Sequence, residues 1–492
     1  MPAQRKYLAL DLGAESGRGM LGRFNGKKLT IEEVHRFPNV PVKVLDHIYW
    51  DVLAIFANLK QATGNAVARA GGIDSIAVDT WGVDYALLAR DGSLLGSPYH
   101  YRDSRTDGIM DKVFSVVPRR EIFQLTGIQF IQLNTLFQLY AMVLEKSPLL
   151  DAADRLLMMP DLLNYLFTGR MVDEYTDGTT SQLMDPRDGR WVKPLFDKLG
   201  IPFRIVPDVI MPGERIANLR ADIASETGAG PVPVVAVGSH DTASAVAAVP
   251  AKGKSGWCYI SCGTWSLMGI EAPKPIINDK TLDYNFTNEG GVGGTIRFLK
   301  NIMGLWPVQE CKREWAKQGE DLGYAEITEM AAQARPMQCF VDCNSTVFLA
   351  PGRMPERIVD FCRKTGQTPP QSKGEIVRCA LESLVLTYRR ALAALEDVSG
   401  GRIDVIHVVG GGTQNRLLCQ LAADACNRTV IAGPVEATAI GNALMQAVAL
   451  GDLKSTADLR DVVRNSFSPE RYEPKNTAGW DEAYAKLQKI CD

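Results

Sequence analysis

The chain has 492 residues, with 54 basic against 57 acidic side chains and a formal net charge of −3. At about 150 residues per domain, that length predicts two or three domains rather than one simple core. Hydrophobic residues at 46% and charged residues at 23% are ordinary for a globular chain, and the near-zero charge excludes a strongly basic nucleic-acid binder.

In chain order, Lys6–Phe24 reads as strand, glycine turn and strand, the turn lying within Asp11-Leu-Gly-Ala-Glu-Ser-Gly-Arg18. Residues 28–37 add a third extended run, and a helix is expected across 51–70, beginning at Asp51. Ile73–Asp79 reads as a further strand, and Val83–Leu88 with the Asp91-Gly92 turn as one more hairpin. Residues 112–172 read as mainly helical, whereas the prolines of 185–215 forbid one long helix there. Val232–Val237 reads as a buried strand leading into Gly238-Ser-His-Asp-Thr242, then a short helix over Ala243–Val249.

After the polar turn Lys252–Gly256 the pattern restarts. Trp257–Ser261 and Trp265–Ile270 read as paired strands around Cys262-Gly263-Thr264. A long helix over 374–397 precedes a buried strand at Ile403–Val409 and the Gly410-Gly411-Gly412 break. A helix over Asn415–Ala425, a short strand at Val430–Ile431 and an Ala-rich helix over 437–449 complete the second half. Each half therefore opens on a glycine hairpin with an α/β region behind it, and the boundary is expected near 246–256.

No run of eighteen or more uncharged apolar residues occurs, and the apolar stretch after Arg5 and Lys6 meets Asp11 too soon for a signal peptide. The ten cysteines all lie from Cys258 onward, and a reduced cytoplasmic protein is expected. Cys258/Cys262 and Cys339/Cys343 lack a second pair at zinc-finger spacing, which argues against structural zinc. G-x-x-x-x-G-K-[ST], H-E-x-x-H and G-x-S-x-G signatures are absent.

What remains is a set of strand-end turns. A small-residue hairpin at Asp11–Arg18 can present backbone N–H groups to phosphate oxygens, with Asp11 near a hydrated Mg²⁺ and Ser16 and Arg18 as donors. The alternative is an ordinary hairpin. Cys262-Gly263-Thr264 and Gly410–Gly412 are turns of the same kind, and together the three point to a phosphate-bearing ligand. Asp241, at the end of a buried strand, can accept a hydroxyl proton beside His240 and Thr242, or it can simply cap the following helix. Tyr101–Arg105 suits either a polyol or an exposed salt-bridged turn, and Trp81-Gly82 either a sugar wall or core filling. His100 and His407 read as structural.

Taken in order, Asp11–Arg18, Asp79-Thr-Trp-Gly-Val-Asp84, Tyr101–Arg105, Ser239–Thr242, Ser261–Leu267, Asn301–Trp306 and Val409–Asn415 resemble the carbohydrate-kinase family that shares the actin/hexokinase-type fold. The likeness runs from about residue 5 to about residue 450. It implies an α/β fold of two actin-like (ribonuclease H-like) ATPase domains, a sugar-binding one at 1–248 and a nucleotide-binding one at 249–492, flanking a central nucleotide and sugar cleft. The implied activity is ATP-dependent phosphorylation of the C1 hydroxyl of L-rhamnulose, with L-fuculose, L-ribulose or D-xylulose as alternative acceptors and a non-catalytic sugar or nucleotide sensor as the alternative of another class. Ala14, Glu15, Ser16, Gly17, Arg18, Thr264, Gln309 and Gly411 match nucleotide contacts. Gly82, His240, Asp241, Thr242 and Asn301 match sugar contacts, with Asp241 as the proton acceptor and Asp11 near Mg²⁺. The implied partners are ATP and a small ketose, with neither nucleic acid nor membrane, and a monomer is compatible with the sequence. Some relatives carry disulfides, for which only Cys362 and Cys379 resemble a pair here; free thiols are the preferred reading.

Overall fold

The computed structural model describes residues 4–253 and 255–491, so Lys254 of the expected polar turn lies outside the described residues. The chain divides into two compact units. The first holds the residues up to Pro250 together with Glu271–Phe298 and Ala437–Phe467; the second holds Ala251–Ile270, Leu299–Glu436 and the residues from Ser468 onward. A single cut near residue 248 thus assigns two segments of the first unit to the other half.

The first unit is built on a six-stranded sheet. Its strands are β1 (Arg5–Leu12), β2 (Ser16–Phe24), β3 (Leu29–Pro38), β4 (Ser75–Asp79), β5 (Arg215–Asn218) and β6 (Pro233–Val235), in the order β5-β6-β4-β1-β2-β3. β1, β2 and β3 form the expected antiparallel meander, while β4 runs parallel to both β1 and β6. The helix Val52–Ala70 starts at Asp51, whose carboxylate accepts from Ala54 N at 3.1 Å, and ends at Gly71 in the left-handed region. Its buried stripe of Val52, Ile55, Leu59, Ala62 and Ala66 packs on the sheet. Every residue of β4 is buried, the signature of a strand covered on both faces. The helix Ala437–Ala449 also contacts β1 and β4, and its Gln446 donates to Leu8 O at 3.0 Å and accepts from Ser75 Oγ at 2.6 Å. That polar seam is why this late helix belongs to the first unit.

The expected hairpin after Asp79 differs in its partner. Tyr85–Leu88 does turn back at Gly92, but its ladder is with Arg155–Met158. The mostly helical reading of 112–172 holds around that one strand, with helices at Arg119–Thr126, Thr135–Leu144 and Met159–Thr168.

The second unit repeats the opening theme. β7 (Trp257–Cys262) pairs antiparallel with β8 (Trp265–Ala272), and β9 (Ile296–Met303) lies next to β8 in the same sheet. β7 also runs parallel to β10 (Val405–Val409), which is parallel to β11 (Thr429–Ala432), itself antiparallel to β12 (Glu470–Tyr472). The helix Lys373–Ser399 opens on a reciprocal capping box between Ser372 and Glu375 and stops at Gly400. In each unit, then, a hairpin is followed by a strand parallel to its first arm. Among the described residues, no helix is long and apolar enough to cross a membrane.

Candidate active site

Parallel pairing in the first unit brings carboxylates together at strand ends. Asp11 closes the β1–β4 ladder opposite Asp79. One residue on, Thr80 N donates to Ser239 O and Asp241 N donates to Thr80 O, each at 2.8 Å, so Asp241 emerges beside the same edge. Carboxyl ends of parallel strands are where α/β sheets bind ligands, because no side chain of the sheet itself covers them.

The three acids are held differently. Asp11 accepts from Arg18 Nη2 at 2.5 Å across the β1–β2 ladder. Asp79 is fully buried; its Oδ2 accepts from Asn442 Nδ2 at 2.6 Å, and its Oδ1 has no hydrogen-bond partner. Burial, reinforced by the charge of Asp11, holds the Asp79 carboxyl well above the usual range. Asp241 is the accessible member, its side chain 31% exposed. Enclosure raises it above the ordinary carboxylate range, with His240 opposing and Asp11 adding to the shift. When ionised, this pair of strand-end carboxylates, one with an orphaned oxygen, offers only acceptors and fits a hard divalent ion such as Mg²⁺.

Helix capping does not account for Asp241. The helix Asp241–Ala247 has His240 at its N-cap position without any side-chain cap bond, and the Asp241 carboxylate instead accepts from Thr242 Oγ1 at 3.1 Å. His240 is set by Arg297, a fully buried guanidinium whose Nη2 lies 3.1 Å from His240 Nδ1 and whose Nη1 lies 3.0 Å from Glu289. Arginine has no acceptor to offer, so Nδ1 of a neutral His240 must accept and Nε2 must carry the proton. Nε2 lies 3.5 Å from Asp241 Oδ1.

The small-residue turn is closed by Gly13 N donating to Ser16 O at 3.0 Å, and Asn39 ties it down through Glu15 O at 2.9 Å and Gly13 O at 3.0 Å. Ala14, Glu15, Ser16 and Arg18 are half-buried. A Cβ on Gly17 would fall 2.2 Å from the Phe37 ring, so only glycine fits. At Gly82 an added Cβ would sit 3.0 Å from Thr180, whose hydroxyl accepts from Val83 N at 3.0 Å. Next to it Trp81 stacks near Trp50 with ring centroids 4.1 Å apart. Both indole N–H groups donate to Asp84 Oδ2, at 3.0 and 2.6 Å, while Gln138 donates to Oδ1 at 3.0 Å. Burial pushes Asp84 up to about 6 against these donors.

Tyr101–Arg105 is not an exposed turn. Asp103 accepts from Ile48 N at 2.7 Å and Arg105 N at 3.0 Å, and the buried Arg105 donates to Gln138 Oε1 at 2.7 Å. The segment therefore braces the wall carrying Trp81.

In the second unit, the two glycine turns pack on one another. Gly263 N donates to Trp265 O at 2.8 Å to close the hairpin, and Gly410, at φ 86°, lies against Cys262. A Cβ on Gly412 would fall 2.2 Å from Cys262 Sγ, whereas one on Gly411 would meet nothing within 4 Å. Gly411 and the half-buried Thr264 thus border open space on adjoining turns. Gln309, on the helix Trp306–Lys317, has a buried Oε1 with no hydrogen-bond partner; Asn301 is half-buried on β9.

Sequence reasoning missed Asp79, Asn442, Arg297 and Asp84 as members of this constellation. Asp79 carried the same strand-end signal as Asp11. Asp84 closes the motif that begins at Asp79 and accepts from Trp81 three residues away, whereas Asn442 and Arg297 carried no local signal, since their roles arise through contacts remote in sequence.

Residues 6–248 match the N-terminal domain, and residues 258–450 the C-terminal domain, of the FGGY family of carbohydrate kinases. The chain belongs to this family: it is an ATP-dependent carbohydrate kinase with the two-domain actin/hexokinase-like α/β fold. It is 42% identical over 481 residues to the rhamnulokinase of Bacteroides thetaiotaomicron, covering 98% of each chain, and 41% identical to that of Pectobacterium atrosepticum, covering 99% of this chain and 97% of the relative. The solved xylulose kinase from Rhodospirillum rubrum shares the fold at a TM-score of 0.79 with 18% identity, over 99% of this chain and 98% of that one.

Proposed function

We propose that the chain transfers the γ-phosphoryl group of ATP to the C1 hydroxyl of L-rhamnulose, giving L-rhamnulose 1-phosphate and ADP. The observation that carries this reading is a likeness to proteins named rhamnulokinase that extends over 94–99% of the chain at 38–42% identity. The candidate site supplies chemistry consistent with it.

In this reading Asp241 orients O1 and takes its proton as O1 attacks the γ-phosphorus; the new O–P bond forms as the bond to the ADP oxygen breaks. An enclosed carboxylate with a raised pKa is a better base than a solvated one. His240, presenting Nε2–H, and the Thr242 hydroxyl hold neighbouring sugar hydroxyls, with the Gly82 backbone and Asn301 as further sugar contacts. A Cβ at Gly82 would crowd Thr180 at 3.0 Å, so glycine suits this position. Ala14, Glu15, Ser16, Gly17, Arg18, Thr264, Gln309 and Gly411 are the nucleotide contacts. Asp11 and Asp79 would hold Mg²⁺, which when bound offsets negative charge on the phosphates. The 1–248 part then carries most of the sugar contacts together with the hairpin contacts to the nucleotide, and 249–492 chiefly nucleotide contacts, in a cytoplasmic enzyme.

The test is a panel of L-rhamnulose, L-fuculose, L-ribulose and D-xylulose with ATP and Mg²⁺, with product NMR. L-rhamnulose should lead in kcat/KM by roughly tenfold or more, with phosphate on O1. A higher value for another ketose, or phosphate elsewhere, overturns the assignment.

A further inference from the structure

All ten cysteines are free thiols, and three of them, remote in sequence, converge in the second unit. Cys339 lies in a non-helical segment, Cys362 on the helix Met354–Lys364 and Cys379 on the helix Lys373–Ser399. Their sulfurs all lie within 4.8 Å of one another, and each residue is at most 2% exposed. Cys362 and Cys379, which resemble the disulfide pair of some relatives but read as free thiols, thus have a third thiol at the same point, and this cluster has no part in the kinase chemistry above.

The backbone around the cluster is firmly tied. Met337 N donates to Glu382 at 2.8 Å, Phe340 N to Gln367 Oε1 at 2.8 Å and Val341 N to Ser383 Oγ at 2.9 Å, so Cys339 is fastened on both sides. Gln367 N in turn donates to Cys362 O at 2.9 Å. Such outer bonds orient ligand side chains in metal sites. Cys339 and Cys379 also line a surface cavity with Gln338, Thr368, Glu375 and Glu382, which provides an entry path and room for a water molecule.

We propose that Cys339, Cys362 and Cys379 form a three-thiolate site for a thiophilic divalent ion of the zinc class, with the fourth position open to water from the cavity. Three sulfurs at about 2.3 Å from one zinc ion stand about 3.8 Å apart, within the spread seen here. On binding, the three S–H bonds break, their protons pass to solvent and three S–metal bonds form, with no change of oxidation state. The proposal is independent of the sugar assignment.

The probe is Co²⁺, then Zn²⁺, added to the full-length enzyme stripped with chelator and kept reduced and anaerobic. One equivalent of Co²⁺ should give thiolate-to-metal charge-transfer absorption, and Zn²⁺ should remove it by displacement. Cys339→Ser and Cys379→Ser should each weaken binding by roughly a hundredfold or more, whereas Cys491→Ser should not. Because a core variant can misfold, the unaltered enzyme supplies a second readout: zinc should protect Cys339, Cys362 and Cys379 together from alkylation, mapped by mass spectrometry. No charge-transfer band, a dissociation constant above about 10 μM, protection at other cysteines, or a Cys362–Cys379 disulfide that persists under reductant would each overturn the proposal.

Discussion

The two units bury titratable groups in different proportions, carboxylates dominating the first and thiols the second, where Glu310, Glu382 and Asp424 are buried beside them. In the first, Asp79, Asp84, Asp161, Asp173, Glu174 and Asp177 are all fully buried, and burial raises every one of them. The second contains all ten cysteines, nine of them buried. The difference is one of desolvation. A carboxylate loses much of its hydration energy on burial and must gain donors or a proton, whereas a thiol enters the core neutral and behaves as a small apolar group. Glu174 shows the first solution: its Oε2 accepts from Ser239 N at 3.1 Å and Thr176 N at 3.0 Å, which ties it to the strand end that delivers Asp241. The first unit should therefore respond to pH, and the second to thiol reagents and soft metals.

The largest expected effect probes what the acid-rich unit is for. Asp241→Asn keeps size and some hydrogen bonding but removes basicity, so kcat should fall roughly 10²–10⁴-fold while ATP affinity changes little. Single-turnover phosphorylation and calorimetric ATP binding separate these quantities. Near-normal transfer by the folded variant would make the carboxylate a structural element after all.

Next comes the pH contrast itself. Burial sets Asp84 at about 6 and Glu174 at about 7, against about 4 in an unfolded chain. Between those limits the native state binds more protons than the unfolded state, so stability is greatest below about pH 4 from these groups and declines as pH rises to about 7. The combined change should be of the order of a few kcal/mol, read by hydrogen exchange, corrected for intrinsic rates, at pH 5 and pH 8. First-unit peptides should open more readily at pH 8, with second-unit peptides changing less; equal responses would break the contrast.

Gly412→Ala tests the second unit through packing rather than charge. The new methyl group would overlap Cys262 Sγ at 2.2 Å, and a loss of about 1–3 kcal/mol is expected in second-unit exchange protection. Adding Cys262→Ala should restore part of it, since Sγ is removed while the Cβ at 2.7 Å and the backbone oxygen at 3.0 Å remain. Additive losses would show that the turn and hairpin do not depend on each other.

The smallest effect sharpens the pH argument. Asp84→Asn would place an amide N–H₂ among the donors of Trp50, Trp81 and Gln138, and should cost about 1–2 kcal/mol at pH 5. It should also narrow the stability gap between pH 5 and pH 8, because one of the titrating groups is gone. An unchanged gap in thermal or denaturant melts would assign the effect to Glu174 and its neighbours.

Much of the plan is local enough to read from the chain. The hairpin around Gly13–Gly17, the helix opened by Asp51, and the long helix opened by Ser372 and closed by Gly400 follow from turn chemistry, caps and apolar spacing. Asp11 and Asp241 stood out because an acid at a strand end before small residues is a local pattern. Tertiary structure alone decided which remote groups meet. The helix Ala437–Ala449 reads as part of the second half until Asn442 is seen to hold Asp79 and Gln446 to bind Leu8. His240 gains its tautomer from Arg297, and Cys339 finds Cys362 and Cys379 rather than the nearby Cys343. Short-range propensity and periodicity record how each segment meets water and its own backbone. Contacts between distant segments leave no such period, and only the packed chain reveals them.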